Sequence, residues 1–209
     1  MNALVTLDGS AAPLFEADVN TDTIAPLYRE SKGGAAKAGE RTQDELAHNL
    51  FRNRRFDDAG NELPFILNQR PFRNAQFLIG GPNFACGSSR ETAATMLAAF
   101  GIRCVIAPSI AGIFFDNCFR NGMLPLTLEQ GVVEDLARQA ANGAAFKLDI
   151  ASGILTPPQS APIAFTLPAF RREALLTGAD EIAVTLTRSA DIAAYRTHVR
   201  CERPWEVSL

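Results

Sequence analysis

The densest run of chemistry-bearing residues is Gly80-Gly81-Pro82-Asn83-Phe84-Ala85-Cys86-Gly87-Ser88-Ser89-Arg90-Glu91. It follows an apolar strand pattern and opens a helical one, the edge at which α/β sheets bind ligands. Read locally, Ser88 and Glu91 form an S-x-x-E capping box, and Gly87 permits the turn. Ser89 and Arg90 fall at the same expected helix start, where free N–H groups and the helix dipole attract anions. The dipole disfavours a cation there, so Arg90 asks for an anionic partner. Backbone N–H groups, two hydroxyls and a guanidinium fork together suit a carboxylate. Spacing excludes three other chemistries. Gly81 and Gly87 enclose five residues and Ser follows, so this is not a Walker A loop. Neither serine has the glycine two positions later that a nucleophile elbow needs, and no G-x-G-x-x-G occurs.

Other reactive residues read more plainly. Asp22 ends the turn-rich run Asp18–Asp22, where a lone aspartate commonly makes an Asx turn. Arg29 could meet a substrate carboxylate or simply be solvated. Cys86 lies beside the serines but has no histidine near in sequence, which suits a packed thiol. Cys86, Cys104, Cys118 and Cys201 are far apart, with no C-x-x-C pair and none near His48 or His198. No zinc or iron–sulfur ligand run is formed, so no metal is expected on this chain. Cys104 and Cys118 sit in apolar patterns and read as core, as do Phe114 and Phe115. His48 and His198 read as structural or solvated.

The whole chain bounds these readings. Its 209 residues favour one generous domain spanning 1–209. A net charge of −3 argues against a surface for nucleic acid or anionic lipid. All of its 20 basic residues except Lys32, Lys37 and Lys147 are arginine, the cation that forks carboxylates. Scattered, reduced cysteines and an N-terminus without a basic or apolar leader pattern point to the cytoplasm. The apolar stretch Cys104–Phe115 is broken by Pro108 and Ser109 and is too short to span a bilayer.

The elements expected to hold the turn follow from periodicity. Leu4–Leu7 and a segment near Leu14–Phe15 read as short strands. The glycine-rich stretch around 27–41 reads as a mobile loop. Thr42 and Glu45 form a capping box that starts a helix through Leu46 and Leu50. Then strand Gln76–Ile79, helix Arg90–Phe100 stopped by Gly101, strand Arg103–Ala107, a helix from about Ser109 to Arg120, and strand Leu124–Leu128 alternate. That order implies parallel pairing with right-handed crossovers. Helix Val133–Ala141, a hairpin of Phe146–Ile150 and Ile154–Thr156, strand Ile163–Leu167, helix Phe170–Thr177 capped by Gly178, and helix Asp191–Val199 follow. The fold class expected is α/β, with a parallel central sheet plus additional antiparallel strands.

Three segments carry a family resemblance: Val19-Asn20-Thr21-Asp22-Thr23-Ile24-Ala25-Pro26, the run Gly81–Glu91, and Val105-Ile106-Ala107-Pro108-Ser109. With Asn121–Leu126, Phe170-Arg171-Arg172, Gly178-Ala179-Asp180-Glu181-Ile182 and Ala194-Tyr195, the chain resembles the small subunit of 3-isopropylmalate dehydratase, of the aconitase-like family. The resemblance implies a swivelling β/β/α domain and a heterodimer, or higher assembly, with a large subunit. That partner carries a [4Fe-4S] cluster whose open iron coordinates substrate hydroxyl and carboxylate. It further implies that Ser88 is the general base, that Ser89 and Arg90 bind substrate carboxylate, and that Asp22 supports the site. The implied reaction is reversible dehydration and rehydration of a small 2-hydroxy diacid.

A split site has a physical reason. Each pK unit by which a serine hydroxyl is acidified takes ~1.4 kcal/mol, whereas a helix N-terminus supplies only ~0.3–1 kcal/mol at an open surface. A second protein must close over the turn and exclude water, so no turnover is expected from this chain alone. The chain also departs from the family. Thr92 replaces the usual histidine after S-R-E, and Asn20 makes N-T-D of the usual D-T-D. The segment Leu27-Tyr28-Arg29-Glu30-Ser31 leads into a glycine-rich insertion. These departures suit a methyl- or dimethyl-substituted malate or maleate as substrate in place of isopropylmalate, or a non-catalytic carboxylate-binding or regulatory paralogue.

Overall fold

The computed structural model describes residues 2–26, 42–87, 90–179, 181–203 and 205. The expected loop around 27–41, Arg29 included, and the residues Ser88 and Ser89 lie outside the described residues. Strand β1 (Thr6–Leu14) is followed by three short helices, α1 (Thr21–Ile24), α2 (Gln43–Asn49) and α3 (Arg52–Arg55). The alternating stretch comprises β2 (Phe77–Gly80), α4 (Thr92–Phe100), β3 (Cys104–Ala107), α5 (Gly112–Arg120), β4 (Leu124–Thr127) and α6 (Gln130–Ala140). Strands β5 (Ala145–Asp149), β6 (Ile154–Thr156) and β7 (Ile163–Ala164) precede helices α7 (Ala169–Thr177), α8 (Glu181–Thr187) and α9 (Ser189–Glu202).

The strands form one sheet in the order β4-β3-β2-β1-β5-β6-β7. Strands β1 to β4 are parallel neighbours, while β5, β6 and β7 continue from β1 in antiparallel pairs. The expected parallel centre with antiparallel additions is therefore present. β1 is one nine-residue strand and not two short ones. Its middle, Gly9-Ser10-Ala11-Ala12-Pro13, has weak strand propensity, but Gly9 and Ser10 pair with β5 and Ala11–Pro13 with β2, and pairing overrides propensity. Pro13 pairs with β2 beyond the reach of β5, which faces only Thr6–Ser10.

Alternation along the parallel strands divides the core between the two faces of the sheet. Leu78, Val105 and Ala107 pack with Leu46 of α2, Met96 and Leu97 of α4, and Phe114 and Cys118 of α5. Phe77, Ile79, Cys104 and Ile106 pack on the other face with Val133 and Leu136 of α6 and with Phe146 and Leu148 of β5. Each fully buried aromatic or aliphatic side chain contributes roughly 1.5–3 kcal/mol by leaving water. The expected burial of Cys104, Cys118 and Phe114 holds.

Local signals fared well where partners are near in sequence. Thr42 accepts from the Glu45 N–H at 3.2 Å and Glu45 returns a bond to the Thr42 N–H at 2.8 Å, the expected capping box. Gly101 and Gly178 end α4 and α7 as expected. Several helix boundaries differ, and the final helix, expected over Asp191–Val199, runs over Ser189–Glu202. α4 begins at Thr92, not at Arg90, with Glu91 at its N-cap and no side-chain cap; Ser88 of the expected S-x-x-E box lies outside the described residues. α5 begins at Gly112, because Ser109 is spent on the turn: its hydroxyl takes the Asn83 N–H at 2.8 Å and its carbonyl the Phe84 N–H at 3.0 Å. α6 begins three residues early, at Gln130. The strand expected over Ile163–Leu167 ends at Ala164, and α8 was not expected.

Candidate active site

The loops that leave the C-terminal ends of β1, β2 and β3 meet and are joined by main-chain bonds. The Asp18 N–H donates to the Pro82 carbonyl at 3.0 Å, the Ala85 N–H to Val19 at 2.7 Å, and the Thr21 N–H to Cys86 at 2.9 Å. On the far side the Ala111 N–H donates to the Phe84 carbonyl at 3.0 Å. The Asn83 amide adds a side-chain bond to Asp18 Oδ1 at 2.7 Å. This lacing holds Asp18, Asn83 and Ala85 at φ of 57°, 55° and 59°. For Ala85 that left-handed conformation costs roughly 1–2 kcal/mol. Backbone strain so concentrated is characteristic of turns that present functional groups.

Glycine is required here for two different reasons. At Gly81 a Cβ would sit 2.3 Å from the Glu16 carbonyl oxygen, so the two loops approach too closely for any side chain. At Gly87 there is room, but φ is +100°. Glu16 itself is fixed by two bonds from Arg54, each 2.7 Å, and the guanidinium holds its carboxyl below the usual range.

Asp22 lies on α1, whose N-cap is Asn20; the Asn20 Oδ1 accepts from the Thr23 N–H at 2.7 Å and the Thr23 hydroxyl at 2.9 Å. Asparagine caps a helix as well as aspartate does, so the N-T-D spelling preserves the local structure. The Asp22 carboxylate is ion-paired with the Arg90 guanidinium. Two of the residues nominated by sequence, Asp22 and Arg90, are thus brought together from separate loops. A cation just before α4 is unfavourable to the helix dipole, and Asp22 offsets that cost. Ser88, Ser89 and Arg29, also nominated, lie outside the described residues, while the described Cys86 and Gly87 lead directly to the two serines.

Residues not singled out for the site are Asp18, Asn83, Ser109 and Asn121. Asn121, at the C-cap of α5, donates from Nδ2 to Glu91 Oε1 at 3.2 Å and to the Asn117 carbonyl at 2.9 Å. The signal for the first three was turn chemistry, Asx and Ser side chains around positive-φ positions. Cys86 donates its thiol to the Asp18 carbonyl at 3.7 Å, in keeping with a packed thiol. His48 stacks on Phe56 with centroids 4.7 Å apart, and His198 stands 3.3 Å from Glu202.

The donor set does not suit a metal. Among the described residues no group of three His, Cys, Asp or Glu side chains could hold a metal ion. Cys104 and Cys118 are fully buried, and burial pushes both thiols up, away from the thiolate a metal needs. Among the described residues no helix is long and apolar enough to cross a membrane.

Residues 1–131 match the family described as the aconitase C-terminal domain. The chain is 48% identical over 208 residues to the 3-isopropylmalate dehydratase small subunit of Rhodospirillum centenum, covering 98% of each chain. It is 43% identical to the protein of that name from a Jannaschia species, covering 98% of this chain and all of that one. The crystal structure of 3-isopropylmalate dehydratase from Methanocaldococcus jannaschii shares the fold, with a TM-score of 0.62 at 24% identity over 90% of this chain and 99% of that one. The chain belongs to the aconitase C-terminal domain family and, within it, to the small subunits of 3-isopropylmalate dehydratase.

Proposed function

We propose that the chain is the small half of a two-chain hydro-lyase of leucine biosynthesis, acting on 3-isopropylmalate or a close 2-hydroxy diacid. The observation that carries the reading is the Asp22–Arg90 pair at the C-terminal ends of the parallel strands. It orients a guanidinium two residues along the chain from the expected base and leaves the Arg90 side chain 32% exposed, open to an incoming carboxylate. In this reading Arg90 and Ser89 hold a substrate carboxylate and Asp22 keeps Arg90 oriented, while Arg29 offers a second cation for the diacid. Ser88 removes a proton from carbon; the electron pair forms the double bond and hydroxide leaves from the adjacent carbon. Rehydration with the opposite regiochemistry gives the isomer.

The remaining parts of the reading concern the surroundings. A large subunit closes over the turn and excludes water, raising the strength of every charge in the site. The [4Fe-4S] cluster is assigned to that subunit, as the family resemblance implies. The chain works in the cytoplasm as one swivelling unit over 1–209, with the segment around 27–41 contributing to substrate binding. Names shared by relatives along nearly the whole chain favour this reading over a non-catalytic paralogue.

The test is reconstitution with the cluster-bearing large subunit and assay of dehydration across substituted malates. Turnover of 3-isopropylmalate is expected from the pair and none from the small chain alone. Ser88→Ala is expected to abolish turnover with the complex intact; unchanged turnover would overturn the base assignment.

A further inference from the structure

We propose that Asn121 is a positioning residue of this site, acting through Glu91 on Arg90. The proposal rests on the reading of Arg90 as the group that receives substrate carboxylate. Glu91 directly follows Arg90 and is the N-cap of α4, where it makes no side-chain cap. Its carbonyl is engaged by the Ala94 and Thr95 N–H groups at 2.9 and 3.1 Å, which ties its main chain to the helix. Its carboxylate instead accepts from Asn121 Nδ2 at 3.2 Å.

The other end of this bond is firmly mounted. The Asn121 N–H donates to the Asn117 and Cys118 carbonyls at 3.2 and 3.1 Å, and the Met123 N–H to Cys118 at 2.9 Å. Cys118 is fully buried, and the following Gly122 carbonyl accepts from Arg103 Nε at 3.0 Å. The second bond of Asn121 Nδ2, to the Asn117 carbonyl, fixes the amide itself. A hydrogen-bond donor is therefore held by the core on one side of α4's start while Asp22 holds Arg90 on the other. Asp22 on α1 holds the guanidinium itself, and the end of α5 holds the Glu91 side chain of the residue next to it. Such bracing is what a carboxylate site needs, since a shift on the order of 1 Å in a binding group costs about 100-fold in rate.

The test uses the reconstituted two-chain complex and reads KM and kcat separately. Asn121→Asp places a second carboxylate against Glu91, and KM is expected to rise about threefold to tenfold with kcat nearly retained, the effect of losing one charge-assisted hydrogen bond. Adding Glu91→Gln supplies an amide N–H to the carboxylate introduced at position 121 and is expected to restore KM. Failure of that rescue would overturn the proposal, because loss of the Asn117 bond alone would then account for the defect. Glu91→Ala leaves the end of α5 intact and is expected to raise KM similarly; an unchanged KM in it also overturns the proposal. Arg90→Lys separates the two layers: an unchanged KM there sinks the reading of Arg90 itself, whereas a raised KM beside an unaffected Asn121→Asp variant sinks only the positioning role.

Discussion

The carboxylate of Asp22 and the guanidinium of Arg90 form an ion pair between α1 and the residue pair that opens α4. The Asp22 side chain is 69% exposed and that of Arg90 32% exposed, so water screens the pair. Exposed pairs of this kind contribute roughly 0.2–1 kcal/mol to stability. Its importance is orientation: a guanidinium with one edge against a carboxylate is held in a set plane.

Asp22→Asn should therefore change binding far more than folding. We expect the melting temperature to move by only about 1–3 °C, as suits a contribution under ~1 kcal/mol. KM of the reconstituted enzyme should rise several-fold, and steady-state kinetics on the diacid would reveal it. A variant that melts much lower but binds normally would show that the pair serves stability instead.

Gly81→Ala should be severe. The added methyl meets the Glu16 carbonyl oxygen at 2.3 Å, a main-chain atom that cannot swing away, in a loop that Arg54 also fixes. A loss of about 2–4 kcal/mol is expected from urea unfolding, the range of overpacked sites. Glycine at position 131, where nothing lies within 4 Å and φ is not positive, is the contrasting site.

The left-handed positions predict opposite signs. Gly87→Ala forces a Cβ into φ +100° and should cost about 1–2 kcal/mol although the space is open. Ala85→Gly relieves roughly 1–2 kcal/mol of strain at φ 59° against about 0.4–1 kcal/mol of added freedom in the unfolded chain, so it should stabilise slightly. Equilibrium unfolding of both variants, side by side, tests the pair of signs.

Acid should weaken the fold partly through Glu16. Hydrogen bonding from Arg54 depresses its carboxyl in the folded state. Its contribution is thus present above the ordinary glutamate range, near 4.3, and is lost as pH falls through the depressed value. Glu16→Gln should flatten the stability–pH curve below about pH 4–5 and leave the neutral region nearly parallel. The effect is small because both side chains are partly exposed. An acid limb of unchanged slope would count against it.

Thiol labelling should follow burial. Cys201 is exposed and should react first with a disulfide reagent, and the half-buried Cys86 more slowly. Cys104 and Cys118 should react only on unfolding. Burial raises both thiols in the folded state, so stability should decline above about pH 9, where the unfolded chain ionises and the folded one does not. Fast labelling of all four in native protein would contradict this.

Much of the frame was readable because its causes are local. The Thr42–Glu45 box, the glycine stops and the apolar strands Phe77–Gly80 and Cys104–Ala107 each depend on neighbours a few residues away. β1 was misread because its small residues become a strand only once β2 and β5 flank them. α8 escaped notice because Ile182, Val184, Thr185 and Thr187 are poor helix formers. The start of α4 was placed too early for a more informative reason. Arg90 and Glu91 spend their side chains on Asp22 and Asn121, distant partners that no spacing announces. The site's residue types were legible at Asp22 and Arg90, but their mutual bracing was not.

The position of β1 sets a timetable for synthesis on the ribosome. Its Thr6–Ser10 half is paired with Asp149–Ala145, a segment translated long after it. Until then the emerging chain carries an open strand edge, with the parallel strands stacking on the other side of it. Pairings so distant in sequence fold slowly and leave adhesive intermediates. The weak strand propensity of Gly9 and Ser10 keeps that waiting edge from recruiting a neighbour before its own partner has been made.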